Sequence, residues 1–186
     1  KQLGSMHKEA LLARGLLANT YGNLKQAQKQ KDILLEVLKL MHATLPAGDI
    51  EIVRAKGNLA NAHGLLSEYA DQLQLLKEVL DLKERAYGKD HLELARTLHN
   101  IALAYGNQGD LEMKMKMLER CLTIKKSKYE ATSIEHVPTV RCLAQTHQEL
   151  SGGQLNEHFD NYIRYMQEAK DILEAQPQRA PFQPEI

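Results

Sequence analysis

A period of 42 residues constrains this chain more than any other feature. Four segments align on this period without gaps, and their shared small-residue column consists of Ala18, Ala60, Ala102 and Ala144. Repeats of this length are typical of stacked helical units, because each unit can bury its apolar face only against its neighbours. The period therefore predicts a repeat array.

Apolar residues within one unit follow helical spacing on two successive stripes. Ile52, Ala55 and Leu59 lie on the first stripe, and Leu76 and Leu80 on the second; their steps of three and four place each set on one helix face. The sequence thus predicts eight helices, over 7–23, 26–45, 49–65, 68–87, 91–107, 110–129, 134–150 and 155–175. Capping boxes, with Asp90 and Thr132 as N-caps, are expected to start two of them.

The predicted fold is all-α, a right-handed superhelical α-solenoid of four helical hairpins. The repeat domain is expected to span residues 7–175, in units of about 7–45, 49–87, 91–129 and 134–175. Residues 1–6 are interpreted as a tag remnant or disordered start, because Gly4-Ser5-Met6 resembles an expression scar. Residues 176–186 are rich in Pro and Gln and predict an extended tail.

Composition argues against several classes of function. Lys and Arg together number 24, as do Asp and Glu, so the chain lacks the basic excess that usually supports nucleic-acid binding. Its two cysteines cannot form a disulfide framework or complete a zinc site by themselves, which favours a reducing, cytoplasmic location. No apolar run is long enough for membrane insertion. We also expect no catalytic residues, cofactor or metal, since no phosphate loop or His-Glu-x-x-His motif is present.

The repeat resembles the tetratricopeptide repeat family, and within it the 42-residue version found in kinesin light chains. The resemblance is carried by Leu59-Ala60 with His63, by Leu76 with Val79-Leu80, and by the joint 87–91. Tetratricopeptide repeats usually have a small residue early in the second helix. In the first three units this position is occupied by Gln30, Gln72 and Lys114. The resemblance implies a protein-binding adaptor or scaffold, whose first helices line a concave groove.

Polar residues on the side of the first helices opposite the core are the candidate binding residues. Arg54 and Asn61 lie about 140–160° from the core centre at Leu59, given 100° per residue. Asn can hydrogen-bond a peptide backbone, and Arg can bind a carboxylate through two hydrogen bonds. The expected partner is a protein or peptide segment of acidic character. The full set is Asn19, Arg54, Asn58, Asn61, Arg96, His99, Asn100, Arg141 and Gln145.

Other interpretations stay open at this point. The candidate residues could simply be solvated, or Asn58 and Asn100 could hydrogen-bond neighbouring helices. Cys121, Cys142 and the methionines at 113, 115 and 117 are expected to be core or gap-filling residues. The alternative function is a sensor or self-association module of a larger signalling protein.

Overall fold

A computed structural model describes residues 2–46 and 48–176 of the chain, with side chains from residue 8 onward. Over these residues the chain forms eight α-helices and no strand. The helices are α1 Gln2–Asn23, α2 Ala27–Thr44, α3 Ile50–Leu65, α4 Tyr69–Tyr87, α5 Ala95–Asn107, α6 Leu111–Lys126, α7 Val137–Ser151 and α8 Glu157–Glu174. Short 3-10 turns at Leu92–Leu94 and Ile134–His136 precede α5 and α7.

Successive helices pair into four hairpins, which we call units one to four, and the units stack in chain order. Each first helix contacts its own second helix, and α3, α5 and α7 also contact the second helix of the unit before them. The residues on which the repeat was predicted lie in this core: Leu59, Leu76 and Ile101 are 3%, 2% and 1% exposed. The predicted all-α superhelical array of four hairpins is confirmed.

Two predictions about local structure need correction, and a third is not tested. α1 begins at Gln2, so residues 2–6 are helical and continue the first helix instead of forming a disordered start. The N-caps of the turns before α5 and α7 are His91 and Ser133, one residue after the predicted Asp90 and Thr132. Each cap accepts from the backbone N–H two residues on, as Asp49 does at the start of α3. The predicted extended tail lies, from Pro177 on, outside the described residues.

Bulky residues early in the second helices pack against glycines of the first helices. A Cβ added to Gly64 would lie 2.5 Å from Gln72 Nε2, and one added to Gly106 would lie 2.8 Å from Lys114 Cδ. Gly22 approaches Gln30 in the same way. The small residue of each pair therefore lies on the first helix instead of the second, and it lets the two helices pack closely.

The methionines of α6 fill space between hydrophobic clusters, as expected. Met117 contacts three of the core clusters, and Met113 and Met115 each contact one. Cys121 is fully buried. None of the helices in the described part of the chain combines the length and apolar character that crossing a membrane requires.

Candidate partner-binding groove

All nine predicted binding residues lie on first helices, and all of them line surface cavities. Asn19 is on α1; Arg54, Asn58 and Asn61 are on α3; the other five are on α5 and α7. The central cavity lies between units two and three and has a volume of about 250 Å³. Five of the nine contribute to its wall: Arg54, Asn58, Asn61, Arg96 and Asn100.

The same cavity recurs at each joint between units. The first joint cavity, between units one and two, is lined by ten residues. Each of them has its counterpart 42 residues later in the wall of the central, second joint cavity. All eight residues that line the third joint cavity, between units three and four, likewise follow residues of the second by 42 positions. The repeat thus builds one pocket three times.

Neighbouring cavities share wall residues and so form one continuous groove. Arg54 and Asn58 line both the first and the second joint cavity, and Arg96 lines both the second and the third. His99 belongs to the third joint cavity and to a terminal cavity beside α7 and α8. Arg141 and Gln145 line this terminal cavity. We use "the groove" for these four cavities together.

Polarity changes along the groove at equivalent positions. The first joint cavity has the apolar side chains Leu12, Leu16 and Met41. The equivalent positions of the second joint cavity, 42 residues later, are occupied by Arg54, Asn58 and Lys83. The third joint cavity keeps cations in two of these positions, Arg96 and Lys125. One end of the groove therefore suits an apolar group, and the middle suits an anion.

The cations of the groove are unequally neutralised. The Arg54 guanidinium lies 3.2 Å from the Glu51 carboxylate, whereas no described carboxylate lies within 4.0 Å of Arg96 or Arg141. Lys83 Nζ donates a hydrogen bond to the Glu93 backbone carbonyl at 3.0 Å. Burial lowers the pKa of Lys83, the Glu93 charge opposes this, and the Arg96 charge lowers it further. An anionic ligand would relieve the repulsion between Lys83 and Arg96.

His99 lies half-buried at the junction of the third joint cavity and the terminal cavity. Burial lowers its pKa below the ordinary value of 6.5, and the nearby Lys125 charge lowers it further. The imidazole is therefore neutral at physiological pH and offers one donor and one acceptor. Cys142 also lines the terminal cavity and is half-buried, so the expectation that it belongs to the core is only partly met.

The side chains of Asn58 and Asn100 make no hydrogen bond to any residue that the structure describes, which leaves their amides available to a ligand. Both are half-buried in the wall of the second joint cavity. The interhelical hydrogen bonds considered for them are therefore not formed within the described residues. Asn61, in the same wall, is exposed.

The sequence-based prediction missed the wall that the second helices and joints contribute. Lys83, Tyr87 and Glu93 complete the second joint cavity, and Lys125, Tyr129 and Glu135 occupy the equivalent positions of the third. These residues repeat with the same period of 42, so a search for recurring polar columns outside the first helices would have found them.

One further cluster of polar groups lies away from the groove. His63 Nδ1 is 2.6 Å from a Glu68 carboxylate oxygen and 3.8 Å from Asp71. Lys31 Nζ lies 2.7 Å from the same Glu68 oxygen, and its hydrogen bond is the main cause of the lowered pKa of Glu68. Lys31 thus already supplies this carboxylate with a positive partner, and the cluster ties unit one to unit two.

Comparison with known proteins agrees with this architecture. A family model described as tetratricopeptide repeat matches residues 51–127, while a search of curated protein sequences finds no match. BtubC (BKLC) from P. vanneervenii is similar in structure, with a TM-score of 0.80, 19% identity and coverage of 98% of this chain and 78% of that one.

Two other solved structures are similar over most of the chain. The nearly identical TPR-like repeats of a putative kinesin light chain from Podosopora anserina have a TM-score of 0.68 and 17% identity, covering 89% of this chain and 86% of that one. The apo form of RapI has a TM-score of 0.73 and 16% identity, and the match covers 89% of this chain and 56% of RapI. Residues 51–127 therefore match the tetratricopeptide repeat model, and the chain as a whole shares its fold with solved structures that include kinesin light chain-like repeats.

Proposed function

We propose that this chain is a protein-interaction scaffold whose groove binds a short segment of another protein. The segment carries an apolar side chain for the first joint cavity and acidic groups for the second and third. Tetratricopeptide repeat structures generally serve as adaptors, and a binding role needs no catalytic residue, cofactor or metal. A cytoplasmic location remains part of this proposal.

The change of polarity between equivalent cavities carries the proposal. Because the walls of the first two joint cavities come from equivalent positions, the substitution of Leu12 and Met41 by Arg54 and Lys83 one unit later changes the chemistry of the pocket. A surface without a binding role has no reason to keep a pocket at each joint while the lining side chains change from apolar to cationic. Such a gradient discriminates between ligand segments by their order of apolar and acidic residues.

The asparagines add contacts that do not depend on ligand sequence. Asn58, Asn61 and Asn100 are spaced along the wall of the second joint cavity. An amide can donate to a backbone carbonyl and accept from a backbone N–H at the same time. The asparagines would hold an extended segment in place while Arg96 and Lys83 select its acidic side chain.

Selection from a random peptide library tests this function. The intact chain is expected to enrich peptides with clustered Asp or Glu and a nearby large apolar residue. The double variant R54E/R96E should bind the selected peptides roughly ten- to hundredfold more weakly per lost contact, because hydrogen bonds to charged groups contribute about 1.5–3 kcal/mol. Fluorescence anisotropy with labelled peptides measures this loss.

A matched control separates the groove from general electrostatics. Arg85 on α4 is well exposed, forms an ion pair with Asp81 and lies outside the groove, so R85E reverses one charge, half of the change in R54E/R96E, without touching the proposed site. R85E should keep the affinity of the intact chain. Enriched peptides without acidic residues, or equal binding by R54E/R96E and the intact chain, would contradict the proposal.

The alternative of a sensor or self-association module is favoured by a separate observation, the apolar surfaces at the two ends of the array. That observation concerns faces that share only Met166 with the groove, where it lines the terminal cavity, and it leads to the inference below.

A further inference from the structure

The outer face of α1 is an exposed and uncharged stripe. Ala10, Ala13, Leu17, Thr20 and Leu24 are all exposed, and they follow each other in alternating steps of three and four residues. Leu17 is 49% exposed and Leu24 is 60% exposed. This spacing is that of a helix seam that packs against another helix along its length.

The column of Leu17 is buried in units two to four. Leu59, Ile101 and Leu143, which follow Leu17 by one, two and three periods, are 3%, 1% and 0% exposed. Leu59 belongs to the cluster formed with Leu38 and Met41 of α2, the second helix of the preceding unit. The α1 stripe therefore has the residue pattern that, inside the chain, accepts a second helix of a hairpin.

The outer side of α8 carries a matching stripe. Ile163 and Leu173 are about half exposed, at 51% and 50%, and Met166 is 43% exposed. With Phe159 and Lys170 they form a series with alternating steps of four and three. Each stripe extends over 14 residue steps, or about 21 Å at 1.5 Å per residue. The two stripes are therefore equal in length and in spacing.

The two ends also differ in charge. α1 contains two Lys and Arg against one Asp or Glu. α8 contains five Asp and Glu against two Lys and Arg. Opposite charges on the two ends favour contact between α8 of one chain and α1 of another, and they disfavour contact between two copies of the same end.

We propose that a second copy of this chain docks its α8 stripe on the α1 stripe, antiparallel, as α2 docks on α3. Phe159 then lies near Leu24, and Leu173 near Ala10. Lys170 then lies opposite the small residue Ala13, which leaves space for the aliphatic part of the lysine side chain. Because the two faces differ, the contact is heterologous and each added copy again presents a free end, so the assembly grows in one direction.

Sedimentation velocity over a concentration series tests this assembly. The intact chain should show an average mass that keeps rising with concentration beyond that of two chains. L17E places a charge in the α1 stripe only, and I163E places one in the α8 stripe only. Each variant alone should therefore be monomeric. Mixed together, they should form a dimer that grows no further, because each variant retains the one face that the other lacks.

Leu35→Glu is the matched control. Leu35 is 47% exposed on α2, outside both stripes, and the equivalent column holds Glu119 two periods later. L35E should assemble like the intact chain, and circular dichroism should show the same helix content for all variants. An intact chain that stays monomeric, or single variants that still form dimers of their own, would overturn the proposal. A monomer in which I163E lowers the unfolding temperature would assign the α8 stripe to a contact within the chain.

Discussion

Replacing Gly64 by Ala should destabilise the chain, although alanine is the better helix former. A Cβ at Gly64 would lie 2.5 Å from Nε2 and 2.9 Å from Cδ of Gln72, whose side chain is only 9% exposed. Overpacking of this kind costs about 1–3 kcal/mol. The gain in helix propensity is at most about 1 kcal/mol, and smaller here because Gly64 is the next-to-last residue of α3. Because the atoms that clash belong to the terminal amide of Gln72, which can partly shift, we expect a small net loss of up to about 2 kcal/mol in urea unfolding followed by circular dichroism.

The same helix supplies the control. Gly57 also lies in α3, and a Cβ built on it would meet nothing within 4 Å, so G57A should stabilise the chain by about 0.5–1 kcal/mol through helix propensity alone. In the double variant G64A/Q72A a small pair replaces the close contact, and the loss caused by G64A should largely disappear. If G64A and G57A stabilise the chain equally, or if Q72A does not change the effect of G64A, then Gln72 does not pack on Gly64 as described.

Three further results are expected. Leu59→Ala should lower the free energy of unfolding by about 2–5 kcal/mol, whereas Leu17→Ala in the same column should cost clearly less, because Leu17 is 49% exposed and Leu59 only 3%. Burial is the main cause that lowers the pKa of His147 below 6.5, and the charge of His158 lowers it further. The unfolded state therefore binds more protons in mildly acidic solution, and the free energy of unfolding should fall as the pH drops below about 6.5. His147→Tyr, which introduces the residue found at Tyr105 in the same column, should reduce that fall. Cys142, half-buried with a pKa that burial raises, should react slowly with iodoacetamide, and more slowly still once a selected peptide occupies the groove; unchanged labelling would place the peptide elsewhere.

The fold could be predicted because its information is periodic and local. Ala18 and its counterparts give the repeat length, and helical spacing around Leu59 gives the buried face, so both follow from counting residues. The exposure of Leu17 could not be derived in this way. Its column predicts a core residue, and only the stacking order shows that no described helix covers it.

For a related reason, the sequence predicts the wall of the groove that the first helices form but not the wall that the second helices form. The first-helix residues such as Arg54 and Arg96 follow from the angle between a polar column and the core. Lys83 and Tyr87 enter the same cavity from the preceding second helix, and their positions depend on how two units pack. The capping error at Asp90 was one of local geometry, since the cap accepts from the N–H two residues on, and not three as the predicted capping box requires.

Shared walls have a consequence for how the groove can change during evolution. Arg54 lines two cavities and Arg96 lines two, so a substitution at either position alters a pair of adjacent ligand contacts together. The preferences of the groove for two neighbouring side chains of a ligand therefore change together. New specificity would arise more readily by exchanging or duplicating a whole 42-residue unit than by point substitutions at one joint.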